Sequence, residues 1–285
     1  INFGIVAVFA LFGGDWNTWY AMIVGVLYMF IPFFVSYFLI KKNTDQKVKD
    51  YLGIRFKINK WWFVAWLLMP ALAFATFGVS LLFPDIVYSP EMTGMFERFK
   101  NALTPEKFTE MQEQVKDFPV HPIWLAVVQG LVAGPTVNAI AGFGEEAGWR
   151  GLMMKELSGG NFWQISVFIG FIWGVWHAPL IAMGHNYPEH PIAGIFMMTI
   201  WCILLSPLFT YIRIKAKSVI GPAIMHGTLN SSAGIAIMLI AGGSDLTAGM
   251  TGLAGFIVLA AANLGIYIYD TRIDKEGITQ MPVQI

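Results

Sequence analysis

Cysteine is almost missing from this chain: Cys202 stands alone among 285 residues. One thiol cannot close an intrachain disulfide or build a cysteine-rich metal centre, and its place inside an apolar run gives it a packing role. Charge is scarce as well. Asp, Glu, Lys and Arg make up 13% of the residues, against ~25% in an ordinary soluble domain. The formal net charge is zero, so no basic face of the kind that binds nucleic acid is present. Neither a G-x-S-x-G nucleophile elbow nor an H-E-x-x-H zinc helix occurs, which removes the serine-hydrolase and zincin routes to catalysis. There is no low-complexity segment and no internal repeat, and the missing repeat argues against transporters built from duplicated halves.

What the chain does have is apolar length. Hydrophobic residues make up 56% of it, gathered into blocks near 17–40, 61–84, 162–184, 192–212, 218–241 and 249–269, with a longer tract over 122–157. About 20 apolar residues cross a bilayer as a helix. Residues 1–12, INFGIVAVFALF, read as the end of one more span, and no small-residue cleavage site marks them as a signal peptide. The expected fold class is all-α: a polytopic transmembrane helical bundle of about eight spans, the first partial, forming one integral membrane domain over 1–285.

Lys and Arg set the expected topology. Residues 41–60 carry seven of them and are read as cytoplasmic. Alternation then puts the turn after 157, the Arg213/Lys215/Lys217 loop, the Arg272/Lys275 tail and both termini inside. The connections near 185–191 and 242–248 contain no Lys or Arg and fall outside. Segment 85–120, with four basic residues and seven acids, also falls outside. In it, Thr104-Pro105-Glu106 reads as an N-cap with proline at the first helical position. Phe108, Met111, Val115 and Phe118 then recur at helical spacing, so 85–120 is expected to be an extracytoplasmic helical segment. Trp16, Trp19, Trp61, Trp62 and Trp163 lie near span ends, where interfacial aromatics collect.

Against this background, AGFGEEAGWRGLMM holds Glu145, Glu146 and Arg150 in one apolar tract. Each ionisable group costs roughly 2.5–3.5 kcal/mol at the centre of a membrane helix on insertion scales, so the cluster needs a partner, a water-filled cavity or a reaction. Two further polar features lie in spans: Trp173-Gly-Val-Trp-His177, and His226-Gly-Thr-Leu-Asn230. Glu146 and Arg150, like His226 and Asn230, are four residues apart and share a helical face. Glu145 is rotated by about 100° from Glu146 and can face elsewhere. At ~1.5 Å of rise per residue, the depths of Glu145, His177, His226 and Asn230 overlap, provided the helix of Glu145 runs on to about Leu157. Pro135 either kinks that helix or opens a new one from Thr136. The motif-bearing core is thus about 122–241. Its residue types are those of a water-activating hydrolase: a carboxylate base, a histidine beside it, and a His/Asn pair able to stabilise an oxyanion. A Glu145/His177/His226 set could instead hold zinc with one open position.

The three motifs in this order, EE-x-x-x-R, W-x-x-x-H and H-x-x-x-N, resemble the CAAX protease and bacteriocin-processing (CPBP, or Abi) family, whose second motif usually carries Phe where this chain has Trp173. The resemblance covers about 145–230. It implies an eight-span intramembrane endopeptidase, of the CAAX prenyl protease type II kind, with its chamber accessible from the cytoplasmic side. Glu145 and His177 would activate water, Glu146 and Arg150 would support them, and His226 with Asn230 would stabilise the oxyanion. No cofactor is required on this reading, with zinc as the alternative. The implied partners are membrane lipid and a peptide or lipidated-protein substrate: a prenylated C-a-a-X protein, a signal peptide, a pheromone precursor or a bacteriocin leader. The expected setting is a prokaryotic plasma membrane. A non-proteolytic bacteriocin self-immunity protein is the competing function, and a proton-coupled transporter a third. His185, Glu189 and His190 in the loop HNYPEH are read as solvated rather than as a metal site.

Overall fold

The computed structural model describes residues 1–15, 18–100, 105–117 and 119–285, and only the backbone at 19, 98–100, 116 and 117. Trp16, Thr104, Phe118 and the side chain of Trp19 therefore lie outside the described residues. The elements in chain order are α1 (Asn2–Leu11), α2 (Trp19–Asn43), α3 (Val48–Tyr51), α4 (Lys60–Ser80), β1 (Ile86–Tyr88), α5 (Thr93–Lys100) and α6 (Pro105–Asp117). A 35-residue helix, α7 (Pro122–Glu156), follows. After it come α8 (Phe162–Ala182), α9 (Pro191–Lys215), α10 (Ile220–Ser232), α11 (Ile235–Met238), β2 (Ile240–Gly242) and α12 (Leu253–Ile268). Among the described residues, six helices are long and apolar enough to cross a membrane: Tyr20–Asn43, Lys60–Ser80, Pro122–Glu156, Phe162–Ala182, Pro191–Lys215 and Leu253–Asp274. The chain is a polytopic membrane helical bundle.

Local sequence chemistry explains the helix starts. The Asn59 side chain accepts from Trp61 N at 3.0 Å to open α4. Asn161 does the same for α8, accepting from Trp163 N at 3.0 Å and Gln164 N at 3.2 Å. These are N-caps that satisfy otherwise orphaned amides. His121 caps α7 ahead of Pro122, and Pro191 opens α9. Pro135 does not end α7. It sits in a π-helical stretch, Gly134–Asn138, and a second one, Ala147–Met153, begins directly after the glutamate pair. Pi-turns of this kind widen a helix locally and re-aim the side chains around them.

Two expectations need amendment. The apolar run 218–241 is not one span: α10 stops at Ser232 after 13 residues, and α11 and strand β2 take up the remainder. Thirteen residues rise only about 20 Å, short of the ~30 Å hydrocarbon core. Instead α10 is buried along most of its length, from Gly221 to Ser232. It lies against α7 on one side and α4 on another. The fold also includes one small antiparallel ribbon, β1 with β2, in the register Ile86↔Gly242, Val87↔Ala241, Tyr88↔Ile240.

Close approach of α7 and α10 depends on glycine. A Cβ on Gly227 would lie 2.3 Å from both Ala139 N and Gly134 O, and one on Gly142 would lie 2.9 Å from His226 Cβ. Small residues let membrane helices meet backbone to backbone. Here that contact sets the glutamates of α7 directly opposite His226.

The connections sort to two ends. At one, Tyr51 hydrogen-bonds Glu156, Asn59 donates to Lys215 O at 3.0 Å, and Lys215 pairs with Asp274 and, at 2.9 Å, with Glu276. Lys155 Nζ donates to Ile285 O at 3.2 Å there too. At the other, β1 meets β2, Ser89 N donates to Leu239 O at 2.9 Å, and Tyr187 Oη donates to Thr251 O at 2.7 Å. The lysine- and arginine-rich connections share the first end; the loops near 185–191 and 242–248, which lack those residues, share the second with β1 of segment 85–120.

Candidate active site

Glu145 and Glu146 leave adjacent positions on α7 with different surroundings, and both are buried. Glu146 Oε1 accepts from Arg150 Nη1 at 3.2 Å and from His226 Nδ1 at 2.9 Å. Arg150 Nη2 donates to Ser206 Oγ of α9 at 3.1 Å. Its guanidinium lies 4.6 Å from the ring centre of Trp173 and 4.7 Å from that of Phe209, a cation stacked between two aromatic faces. Arg213 Nε donates to the Arg150 carbonyl at 3.0 Å, fixing the widened turn of α7. Glu146 Oε2 and Arg150 Nε have no partner among the described residues. A fully buried ion pair with open valences is held by the attraction of its charges, and losing one partner strands the other.

Glu145 belongs to a different environment. Its Oε2 accepts from Trp173 Nε1 at 2.7 Å and Trp149 Nε1 at 3.4 Å. Its Oε1 stands 3.8 Å from His226 Nε2. His226 thus lies between the two carboxylates, bonded to one and near the other.

Glu145, His177, His226 and Asn230 all line one cavity of about 360 Å³. His177 Nδ1 is 2.8 Å from Trp173 O. A carbonyl only accepts, so Nδ1 carries the hydrogen and Nε2 keeps its lone pair. Asn230 is the exposed member, against the buried His226 one turn before it. Glu146 and Arg150 are absent from the lining and stand behind it. The six residues picked out by motif are therefore brought together: four on the cavity wall, and two supporting it.

Other wall residues carry no motif. Tyr28 of α2 is fully buried and donates to Trp176 O at 2.5 Å. His185, Asn186 and Thr251 line the cavity from the loops that lack lysine and arginine. Of these, His185 belongs to the loop read from sequence as solvated, and it is exposed. Trp149 repeats the i,i+4 spacing from Glu145 and was legible on that ground, whereas Ser206 and Tyr28 come from distant segments. Cys202 is buried, its Sγ 4.0 Å from His177 Nδ1 and 3.8 Å from Met198 Sδ, in keeping with packing.

The donor set for a metal can be tested on geometry. Among the described residues, only Glu189, His190 and Asp245 bring three ligand atoms within 4.8 Å of one another. Glu145, His177 and His226 do not converge in that way, so they do not fit a zinc ligand set as they stand. In the other group, Asp245 is buried and accepts from Glu189 N at 2.8 Å, His190 N at 3.2 Å and His190 Nδ1 at 2.6 Å. That carboxylate clips the HNYPEH loop to the segment before α12, while Glu189 and His190 themselves are exposed.

Residues 120–232 match the family described as Rce1-like, type II CAAX prenyl endopeptidase Rce1-like. That stretch runs from the residue before the α7 cap to the end of α10 and contains all six motif residues. A protein of Methanococcus maripaludis named CAAX prenyl protease 2 is 25% identical over 214 residues, which span 70% of this chain and 67% of that protein. With a buried glutamate pair, His226 and Arg150 on meeting membrane helices and His177 half-buried beside them, these similarities to type II CAAX prenyl endopeptidases indicate a membrane protease.

Proposed function

We propose that the chain hydrolyses a peptide bond near the C-terminus of a prenylated protein, using a water activated by Glu145 and His177. The named relative is a CAAX prenyl protease, and the six motif residues lie within the stretch that matches the family. One observation supports it most. Glu145 has one oxygen held by two indole donors and the other free beside His226, on the wall of the cavity.

Glu145 Oε1 takes one proton from water, while the lone pair of His177 Nε2 accepts its other hydrogen. The water oxygen attacks the scissile carbonyl carbon. His226 and the Asn230 amide donate to the oxyanion, usually the largest electrostatic contribution in acyl transfer. Collapse breaks the C–N bond, and the proton on Glu145 passes to the departing amine. Two carboxylates and one guanidinium leave one negative charge in the apolar interior; a proton on His226 balances it and supplies the Nε2–H that the oxyanion needs. Glu146, accepting from Nδ1, holds the doubly protonated ring in that orientation, and Arg150 holds Glu146. No step passes through a metal.

The setting we propose is a prokaryotic plasma membrane with the lysine-rich end and both termini in the cytoplasm and 85–120 outside. On that orientation the cavity is bordered by outer loops, through His185, Asn186 and Thr251. This runs counter to the cytoplasmic access that the resemblance implies. Access depends on which end faces the cytoplasm, which single-cysteine labelling reads directly.

The test is cleavage of a quenched prenylated peptide and a panel of leader peptides by purified wild type, Glu145→Ala and His226→Ala, with and without a chelator. Cleavage of the prenylated peptide by wild type alone, unaffected by chelator, is expected. Activity surviving in Glu145→Ala would overturn the role of that carboxylate. Loss on chelation with recovery on added zinc would replace it by a metal-bound water. Binding of a leader peptide without any cleavage would favour the immunity function.

A further inference from the structure

We propose that Trp173 is the positioning residue that decides which oxygen of Glu145 reacts, an inference resting on Glu145 as the base. Trp173 is buried, and its Nε1–H donates to Glu145 Oε2 at 2.7 Å. Trp149 adds a longer contact, 3.4 Å, to the same oxygen. Oε2 is thereby occupied, and Oε1 is left beside His226 Nε2. A base whose carboxylate can spin between two orientations presents either oxygen to water; one pinned by an indole presents a single oxygen in a fixed direction. Holding reacting groups to productive geometry is worth orders of magnitude in rate.

Burial alone does not account for this hydrogen bond. The indole nitrogens of Trp62, Trp176 and Trp201 are also buried, and none has a partner among the described residues. This fold leaves indole N–H groups unpaired elsewhere, so the 2.7 Å contact reflects where the ring is held. Arg150 stacks on that ring at 4.6 Å, and the Phe209 and His226 rings lie 5.5 and 5.6 Å away. The same residue also fixes the second water-activating group, because its carbonyl accepts from His177 Nδ1. Trp173 therefore sets Glu145 with its side chain and His177 with its main chain, and one residue registers the two against each other.

Trp173→Phe separates these roles, since it keeps the ring and the carbonyl and removes only the N–H. A hydrogen bond to a charged group contributes about 1.5–3 kcal/mol, so kcat should fall about 10- to 100-fold with KM little changed, the pattern of an interaction felt at the chemical step. Trp149→Phe, losing the longer contact, should fall less. As a second readout, the indole ¹⁵N–¹H spectrum of full-length protein in detergent should show a tryptophan side-chain resonance moving in Glu145→Ala. Wild-type kcat in a folded Trp173→Phe, or a loss confined to KM, would overturn the proposal. Should Trp173→Phe fail to fold, the spectra decide: an indole region unchanged by Glu145→Ala overturns it. Activity of Glu145→Ala itself would instead remove the base, so the two failures are distinguishable.

Discussion

His226 reaches Glu146 through Nδ1 at 2.9 Å while its Nε2 stands 3.8 Å from Glu145 Oε1. One imidazole on α10 thus reads both members of the glutamate pair on α7. With Arg150 on the far side of Glu146, the four groups form one buried chain of contacts, and its members cannot be altered independently.

That coupling is measurable. Arg150→Met leaves the buried Glu146 carboxylate without its guanidinium, and removing one partner of a buried pair costs about 3–5 kcal/mol. Arg150→Met combined with Glu146→Gln removes the stranded charge and should recover part of the loss. Thermal unfolding of Arg150→Met, Glu146→Gln and the double variant in detergent gives the cycle. Purely additive losses would mean that the pair does not interact as its 3.2 Å separation implies.

The glycine crossing gives a matched comparison. Gly227→Ala puts a methyl group 2.3 Å from Ala139 N and Gly134 O, whereas a Cβ on Gly265 meets nothing within 4 Å. Overpacking of a tight contact costs about 1–3 kcal/mol or more. Gly227→Ala should therefore lower the melting temperature and the activity together, while Gly265→Ala leaves both close to wild type. Equal behaviour of the two variants would contradict the α7–α10 contact.

Orientation can be read in a Cys202→Ala background with Lys42→Cys and Asn186→Cys introduced one at a time. In intact cells or spheroplasts, an impermeant maleimide should label Asn186→Cys and spare Lys42→Cys until the membrane is opened. The reverse pattern would invert the chain and turn the loops bordering the cavity toward the cytoplasm.

Long spans were legible because hydropathy over ~20 residues reports contact with lipid. The blocks near 61–84, 162–184 and 192–212 correspond to α4, α8 and α9 within a few residues. The run 218–241 misled for the same reason. Its apolar residues face protein rather than lipid, and the stretch Ser231-Ser232-Ala233-Gly234, where the helix breaks, is the local sign of that. At the site, the Glu146–Arg150 contact followed from i,i+4 spacing, a relation internal to one helix. The contacts of Glu145 with Trp173, of Arg150 with Ser206 and of Tyr28 with Trp176 join separate helices, and no periodicity encodes which helices meet. Asp245, which holds the HNYPEH loop from 55 residues away, was out of reach for that reason.

The shortness of α10 separates two tasks that most membrane helices combine. A helix enclosed by its neighbours need not satisfy the insertion machinery by itself, so His226, Thr228, Asn230, Ser231 and Ser232 can sit in succession without the hydropathy that a lipid-facing span requires. Insertion is left to the longer helices around it. Polar substitutions along α10 should then leave bilayer entry as before, so that a loss of activity there reports on the cavity wall and not on insertion.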